Sequence, residues 1–202
     1  MQNSINVSIK SPCSENFNKF ITAKGAPDWV TDSHISEYNS YDNAVLYNDY
    51  VVSSIIMQLK KRQEASLMVY FSDHGEEVFD TLGNLFCGRN EGKPTPAMYT
   101  VPFIVWSNSL YNSQHKTSHW LGKLSNPMTT ADFLYTWADM VGLSFSGMDY
   151  SRSAISDQFV RHSRWIGNPA TPKLLRDYSD IAPPPYIAES ATSKKPLTDT
   201  TL

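Results

Sequence analysis

The apolar positions of the chain change period several times, and each change marks an element. From Ser40 onward, Val45, Val52, Ile55, Ile56 and Leu59 recur at helical offsets with Asn48, Asp49 and Gln58 between them. The stretch closes on Lys60-Lys61-Arg62, cations suited to the negative end of a helix. This predicts a helix from about Tyr41 to Lys61, with Asp49 on its polar face. Ser66-Leu67-Met68-Val69-Tyr70-Phe71 is then a nearly continuous apolar run of strand length, which reads as a buried strand of the parallel type. Residues 80–98 hold Gly83, Gly88, Gly92, Pro94 and Pro96 and predict a long irregular loop, functional or disordered. Strand character returns in Tyr99 to Trp106, where Pro102 must sit at a strand start or an edge. A second helix is expected from Thr129 or Thr130 to Val141, with Phe133, Leu134, Trp137 and Met140 on one face, Thr130 as cap and Gly142 as terminator.

Residues 1–40 are rich in Ser, Asn, Asp and Thr without a sustained period and read mostly as loop, and the segment after Asp180, with Pro183-Pro184-Pro185, reads as an extended or disordered tail. Helix, strand, loop, strand and helix together predict part of an α/β layered domain. A length of 202 residues suits one core and not two. Hydrophobic residues at 41% and charged residues at 18% exclude a disordered chain and a coiled coil. A net charge of −3 gives no general attraction to nucleic acid, so no nucleic-acid partner is expected. Cys13 and Cys87 are too few and too far apart to frame a disulfide scaffold or a metal knuckle. No apolar run reaches the roughly 18–20 residues that span a bilayer, and the N-terminus has no signal-peptide pattern.

Ser72-Asp73-His74-Gly75-Glu76-Glu77 is the most informative run, because it sets an imidazole among carboxylates at the C-terminal end of a predicted strand, where ligands bind in open α/β sheets. Asp73 and His74 could share one ion only where the chain leaves the sheet, and Gly75 supplies freedom to turn there. Zn²⁺ accepts an Asp oxygen and a neutral His nitrogen together. An Asp-His pair alone caps a loop as readily as it binds metal, and two ligands do not complete a site. Arg89-Asn90-Glu91 could grip a phosphate through the guanidinium fork or form an ordinary solvated loop. His34, His115, His119 and His162 read as exposed loop residues, Cys87 as a loop thiol, and Trp106, Trp120, Trp137 and Trp165 as core or half-buried aromatics. No Gly-x-Ser-x-Gly elbow, P-loop or dinucleotide fingerprint occurs.

At these residues the sequence resembles a known family. Ser72-Asp73-His74-Gly75-Glu76-Glu77 looks like the metal motif of the alkaline phosphatase and sulfatase superfamily. The flanking strings Tyr41 to Asp49, Gly88-Arg89-Asn90-Glu91, Tyr99-Thr100-Val101-Pro102-Phe103, Thr136-Trp137-Ala138-Asp139 and Arg164-Trp165-Ile166-Gly167-Asn168-Pro169 narrow it. Together they resemble the C-terminal part of the phosphoethanolamine transferases, most closely the branch acting on the lipopolysaccharide core. The resemblance implies a partial alkaline-phosphatase-like layered sheet with flanking helices over residues 13–180, preceded by an unmatched segment 1–12 and followed by the tail 181–202. It also implies zinc as cofactor, held in part by Asp73 and His74, with Glu76, Arg89 and Asn90 as substrate contacts. Phosphatidylethanolamine would be the donor and lipopolysaccharide, at its core or lipid A, the acceptor. The family's threonine nucleophile and first zinc ligand match nothing in this chain, so no catalytic residue is assigned.

The expectation is therefore a C-terminal fragment, inactive by itself and weak in zinc binding. Full-length relatives would sit at the periplasmic face of the inner membrane, while this chain, expressed as it stands, would stay in the cytoplasm. The rival readings are a sulfatase-like hydrolase or phosphoglycerol transferase fragment, and a non-catalytic remnant.

Overall fold

A computed structural model describes residues 17–181, so the segments 1–16 and 182–202, with the expected tail and Cys13, lie outside the described residues. Helix α1 covers Asp32–Lys60, strand β1 Leu67–Phe71, β2 Glu77–Val78, β3 Cys87–Gly88 and β4 Phe103–Ser107. Helix α2 follows at Ser109–His115, α3 at Phe133–Val141, and the short strands β5 and β6 at Trp165–Ile166 and Arg176–Asp177.

Helix α1 begins nine residues before the predicted Tyr41 start. Ile35 and Tyr38 alone carry no visible period, so the apolar pattern missed this extension. Thr31 in extended geometry and Asp32 in the first turn are the signal that marks it. The predicted apolar face is only partly covered: Val52 is buried, while Val45 and Ile55 are exposed. Asn43 ties the preceding segment onto the helix, accepting from the backbone N–H groups of Lys19 and Phe20 at 2.8 and 3.0 Å.

The pairing of β1 corrects the expectation of a parallel neighbour. It runs antiparallel to β4, with Leu67 opposite Ser107 and Phe71 opposite Phe103. A parallel partner needs a crossover that carries the chain back along the sheet. Residues 72–102 do not cross over; they fold at the end of β1 and feed straight into β4. Pro102 stands just before β4, where its missing N–H costs no ladder bond. Every β1 residue is half-buried rather than buried, because the sheet has only two strands among the described residues.

The two faces of this pair carry different layers. On one face Leu67, Val69 and Val105 pack on a buried cluster of Tyr111, Trp120, Met140 and Ile155 from α2, α3 and the segments beside them. On the other, the hydroxyl of Tyr70 accepts from the side chain of Asn48 on α1 at 2.6 Å. This is the layered α/β arrangement expected, with helices flanking a small sheet. Helix α2 was not predicted; Asn108 caps it by accepting from the Tyr111 N–H at 2.8 Å. Helix α3 ends at Gly142 in left-handed conformation as expected, but its predicted start is a tight turn over Thr130–Asp132, and Leu134 faces solvent at 57% exposure. The buried side carries the expected Met140 together with Thr136 and Ala138. Thr136 accepts from the Ala154 N–H at 3.0 Å and Asp139 from the Ser153 hydroxyl at 2.6 Å, so these two polar residues of the helix lock down the turn that follows Tyr150–Arg152.

Candidate metal centre and the cavities beside it

The Ser72–Glu77 turn leaves β1 at the edge where β4 begins, and its own hydrogen bonds orient the motif. Ser72 Oγ donates to the His74 carbonyl at 2.7 Å, and Asp73 Oδ1 accepts from the His74 N–H at 3.0 Å. His74 Nδ1 lies 3.0 Å from the Gly75 carbonyl, which can only accept, so Nδ1 carries the proton and Nε2 presents its lone pair. That Nε2 is 3.9 Å from Asp73 Oδ2, close enough for one ion to touch both at the usual Zn–N and Zn–O lengths of about 2.0–2.2 Å. The Asp73 side chain is 88% exposed, so its carboxylate is open to a ligand. The donor set fits zinc as far as it goes. Among the described residues no group of three or more His, Cys, Asp or Glu is placed to hold a metal, so these two are a partial shell.

Gly75 holds the motif down by close approach rather than by conformational freedom, which corrects the expectation from sequence. Its N–H donates to the Met98 carbonyl at 3.1 Å, and a Cβ at this position would lie 2.1 Å from the Ala97 carbonyl oxygen. Glu77, the second glutamate of the run, is fully buried and organises the long loop. Its carboxylate accepts from the Thr81 N–H at 2.6 Å, the Thr81 hydroxyl at 3.0 Å and the Thr95 hydroxyl at 2.6 Å. A tract that reads as irregular is thus pinned at both ends, with β3 in its first half pairing back to β2 just before it.

Two cavities meet at His74. The first, about 420 Å³, is walled by Phe71, Phe103, Phe133 and Trp165, with Asp73, Arg89 and Arg164 also on its lining. The second, about 600 Å³, is lined by Tyr38, Tyr41, Asp42, Glu76 and Asp80. It is acidic in character: burial, then Glu76, Asp80 and Asp42, push the Tyr41 phenol above its ordinary value, and burial followed by Asp80 raises the Asp42 carboxyl.

The sequence-predicted residues are divided by this geometry. Asp73, His74 and Arg89 share the first cavity, and Glu76 opens on the second. Asn90 lines neither; its Oδ1 accepts from the Gly92 N–H at 3.0 Å. The Arg89 guanidinium is already engaged, paired with Glu91, stacked on Tyr99 at 4.8 Å and donating to the Met98 carbonyl at 3.2 Å. Burial pushes the Glu91 carboxyl up, but hydrogen bonds from Tyr99 and Arg89 outweigh it and hold the group below the usual carboxylate range. Tyr99 in turn accepts from the Gly167 N–H at 3.2 Å, which brings the β5 turn to the cavity.

Arg164, Trp165 and Tyr178 reach the first cavity from about ninety residues downstream, a juxtaposition that no local pattern announces. Trp165 is 65% exposed, not the half-buried aromatic expected, because β5 and β6 are two-residue strands at the cavity rim. His34 is likewise not in a loop; it lies in the first turn of α1 against Phe79, ring centres 5.3 Å apart. Cys87 is a half-buried thiol on β3 rather than a loop one. Burial, then the Glu37 carboxylate, push it up to about 12. At pH 8 its alkylation by iodoacetamide, mapped by peptide mass spectrometry, is expected to run at least about tenfold slower than a free cysteine with its thiolate near pKa 8.5. A rate equal to that of free cysteine would contradict this environment.

The chain has recognisable relatives in sequence and in fold. The sequence model of the sulfatase family matches residues 6–143. The chain is 41% identical over 155 residues to phosphoethanolamine transferase EptC of Escherichia coli strain K12, covering 77% of this chain and 27% of that protein. It is 38% identical over 155 residues to phosphoethanolamine transferase CptA of Salmonella typhimurium, with the same coverage of 77% and 27%. The crystal structure of the C-terminal periplasmic domain of E. coli EptC in complex with Zn superposes with a TM-score of 0.77 at 38% identity, over 87% of this chain and 48% of that one. The chain thus spans about a quarter of the length of the curated relatives it matches and about half of the solved domain. With a family match over most of its length and a fold shared with a zinc-bound relative, the chain belongs to the sulfatase family, and there its similarity is to the phosphoethanolamine transferases.

Proposed function

We propose that this chain is the C-terminal part of the catalytic domain of a zinc-dependent phosphoethanolamine transferase, with phosphatidylethanolamine as donor and lipopolysaccharide, at its core or lipid A, as acceptor. The observation that carries the reading is the Asp73–His74 pair. Its Nε2 and Oδ2 stand 3.9 Å apart at a strand end between two cavities, in a fold whose solved relative is a Zn complex. Asp73 and His74 would hold the ion together with ligands from elsewhere. Bound there, Zn²⁺ supplies Lewis acidity to a hydroxyl nucleophile and to the phosphoryl oxygens. The chain's own part is to orient the imidazole through the Gly75 carbonyl, so that Nε2 is the ring nitrogen turned toward the ion, and to wall the phosphoryl group in Phe71, Phe103 and Phe133. The charge of the two cavities supports a zwitterionic headgroup, phosphate on the Arg164 side of His74 and ammonium toward Asp42 and Glu76. Of the expected substrate contacts, Glu76 faces the second cavity and is kept as one, Arg89 holds the loop through its pair with Glu91, and Asn90 lies outside both cavities. The place of action follows the relatives: the matched domain of E. coli EptC is periplasmic, and among the described residues no helix is long and apolar enough to cross a membrane.

The test is zinc binding by calorimetry on the 202-residue chain. Weak one-to-one binding is expected, reduced at least about tenfold by Asp73→Asn and by His74→Gln, the size of effect usual for disturbing a zinc site. Zinc affinity unchanged in both variants overturns the metal assignment. Grafting the matching segment into E. coli EptC tests the reaction: transfer that survives the graft and is lost with His74→Gln supports it, and transfer insensitive to His74→Gln sinks it.

A further inference from the structure

The string Arg164-Trp165-Ile166-Gly167 is left without a role by the metal reading, and it contains the cation that the first cavity does not neutralise. Arg89 is paired with Glu91, and Arg152 with Asp132 at 2.6 Å. The Arg164 guanidinium makes no ion pair among the described residues, and its Nε is buried without a hydrogen bond. A buried guanidinium N–H left without an acceptor is costly, and on a half-buried arginine at the wall of a cleft it marks a place where an anion completes the site. The side chain is also held still: its guanidinium lies over the Tyr178 ring at 4.7 Å, and the Tyr178 hydroxyl is fixed by Thr100 at 2.7 Å. The backbone is clamped as well, since the Arg164 N–H donates to Asp177 at 2.9 Å and its carbonyl accepts from the Tyr178 N–H at 2.8 Å. A rigid, unpaired guanidinium is what bidentate recognition of a phosphate requires.

We propose that Arg164, seated on Tyr178 in the aromatic-walled cavity next to Asp73 and His74, is the residue that grips a phosphate oxyanion of the substrate, while Arg89 serves to hold the loop. The ligand class is a phosphate ester beside an apolar surface: the cavity volume of about 420 Å³ lies within the range of small-molecule sites, and Phe71, Phe103, Phe133 and Trp165 give it an apolar wall. Two sources share this chemistry, the phosphodiester of a phospholipid headgroup and the phosphate of a phosphorylated sugar. The inference rests on the proposed reaction centre for its biological meaning, but the anion site itself needs no metal.

The test uses the full chain without zinc and follows binding of glycerophosphoethanolamine, glucosamine 1-phosphate and inorganic phosphate by phosphorus NMR line widths. Binding that ethanolamine does not compete, weakened about tenfold by Arg164→Gln and less by Arg164→Lys, is the expected result. Arg176→Gln, an exposed control outside the cavity, leaves it unchanged. Phenylglyoxal labelling of the unmutated chain gives a second measurement that needs no variant to fold: each bound probe protects Arg164 and not the exposed Arg161. Tighter binding of glycerophosphoethanolamine identifies the donor headgroup, and tighter binding of glucosamine 1-phosphate the acceptor phosphate. Equal binding by Arg164→Gln, or no protection of Arg164 by any probe, overturns the proposal. Phosphate binding that depends on Arg164 in a chain whose zinc affinity ignores His74 would leave this site standing and remove the metal reading, and the reverse result would do the opposite.

Discussion

Replacing Gly75 with alanine is expected to cost about 3–4 kcal/mol of stability, as overpacking at one of its tighter sites plus a lost backbone hydrogen bond. The new Cβ would stand 2.1 Å from the Ala97 carbonyl oxygen and 2.8 Å from that of Thr100, both backbone atoms that no side-chain rotation can move. The turn must therefore lift away from the Pro96–Met98 segment and break the Gly75–Met98 hydrogen bond. Two other glycines separate crowding from backbone strain. At Gly83 nothing lies within 4 Å but φ is +74°, so alanine there costs about 1–2 kcal/mol. At Gly122, open and without a left-handed backbone, alanine changes stability by within about 0.5 kcal/mol. Urea unfolding of the three variants checks the order, and a Gly75→Ala chain as stable as Gly122→Ala would contradict the packing. Because Gly75 also receives the His74 Nδ1 hydrogen bond through its carbonyl, zinc affinity should fall in Gly75→Ala together with stability.

Glu77→Ala is the second large effect, about 2–4 kcal/mol. Its carboxylate is fully buried and serves the Thr81 N–H and the hydroxyls of Thr81 and Thr95. Truncation opens a cavity and removes the acceptor of three donors. Thr81 is exposed and Thr95 half-buried, so water replaces part of the loss and the net is that of about one unsatisfied donor, about 1–3 kcal/mol, plus the cavity. Glu77→Gln keeps the shape and one acceptor, and since both threonine hydroxyls can rotate to accept, it should lose about half as much. The second readout is limited proteolysis: cleavage within residues 80–95 should rise in Glu77→Ala before the rest of the chain opens. Glu77→Ala as stable as the unmutated chain, with an intact loop, would show that the three threonine contacts do not hold this segment.

These two residues also show how far the sequence could be read. The run Ser72–Glu77 was visible as chemistry at a strand end, and the strand, both main helices and the long loop were legible from apolar period and from Gly and Pro punctuation. Within the run, however, the reasons for Gly75 and Glu77 were not. Gly75 is a glycine because of carbonyls more than twenty residues later, and Glu77 is acidic because Thr95 comes to meet it. Helix α2 was missed because its seven residues carry one buried side chain, Tyr111, too few to make a period. The parallel reading of β1 failed for a related reason, since an apolar run records that a strand is covered and not which way its neighbour runs.

What the sequence determined by itself, then, is everything set within one turn or one strand: where β1 ends, that Asp73 and His74 leave it together, that Gly142 stops α3, and the family strings on which the resemblance rests. What only the tertiary structure decided is which distant groups stand opposite one another. It pairs Arg89 with Glu91 and so occupies the phosphate contact that the sequence offered, and it carries Arg164 and Trp165 across to the wall of the same cavity with the guanidinium outside any ion pair. The physical reason is that periodicity and turn chemistry act over a few residues, whereas the charge balance of a cavity depends on which side chains the finished packing leaves unpaired.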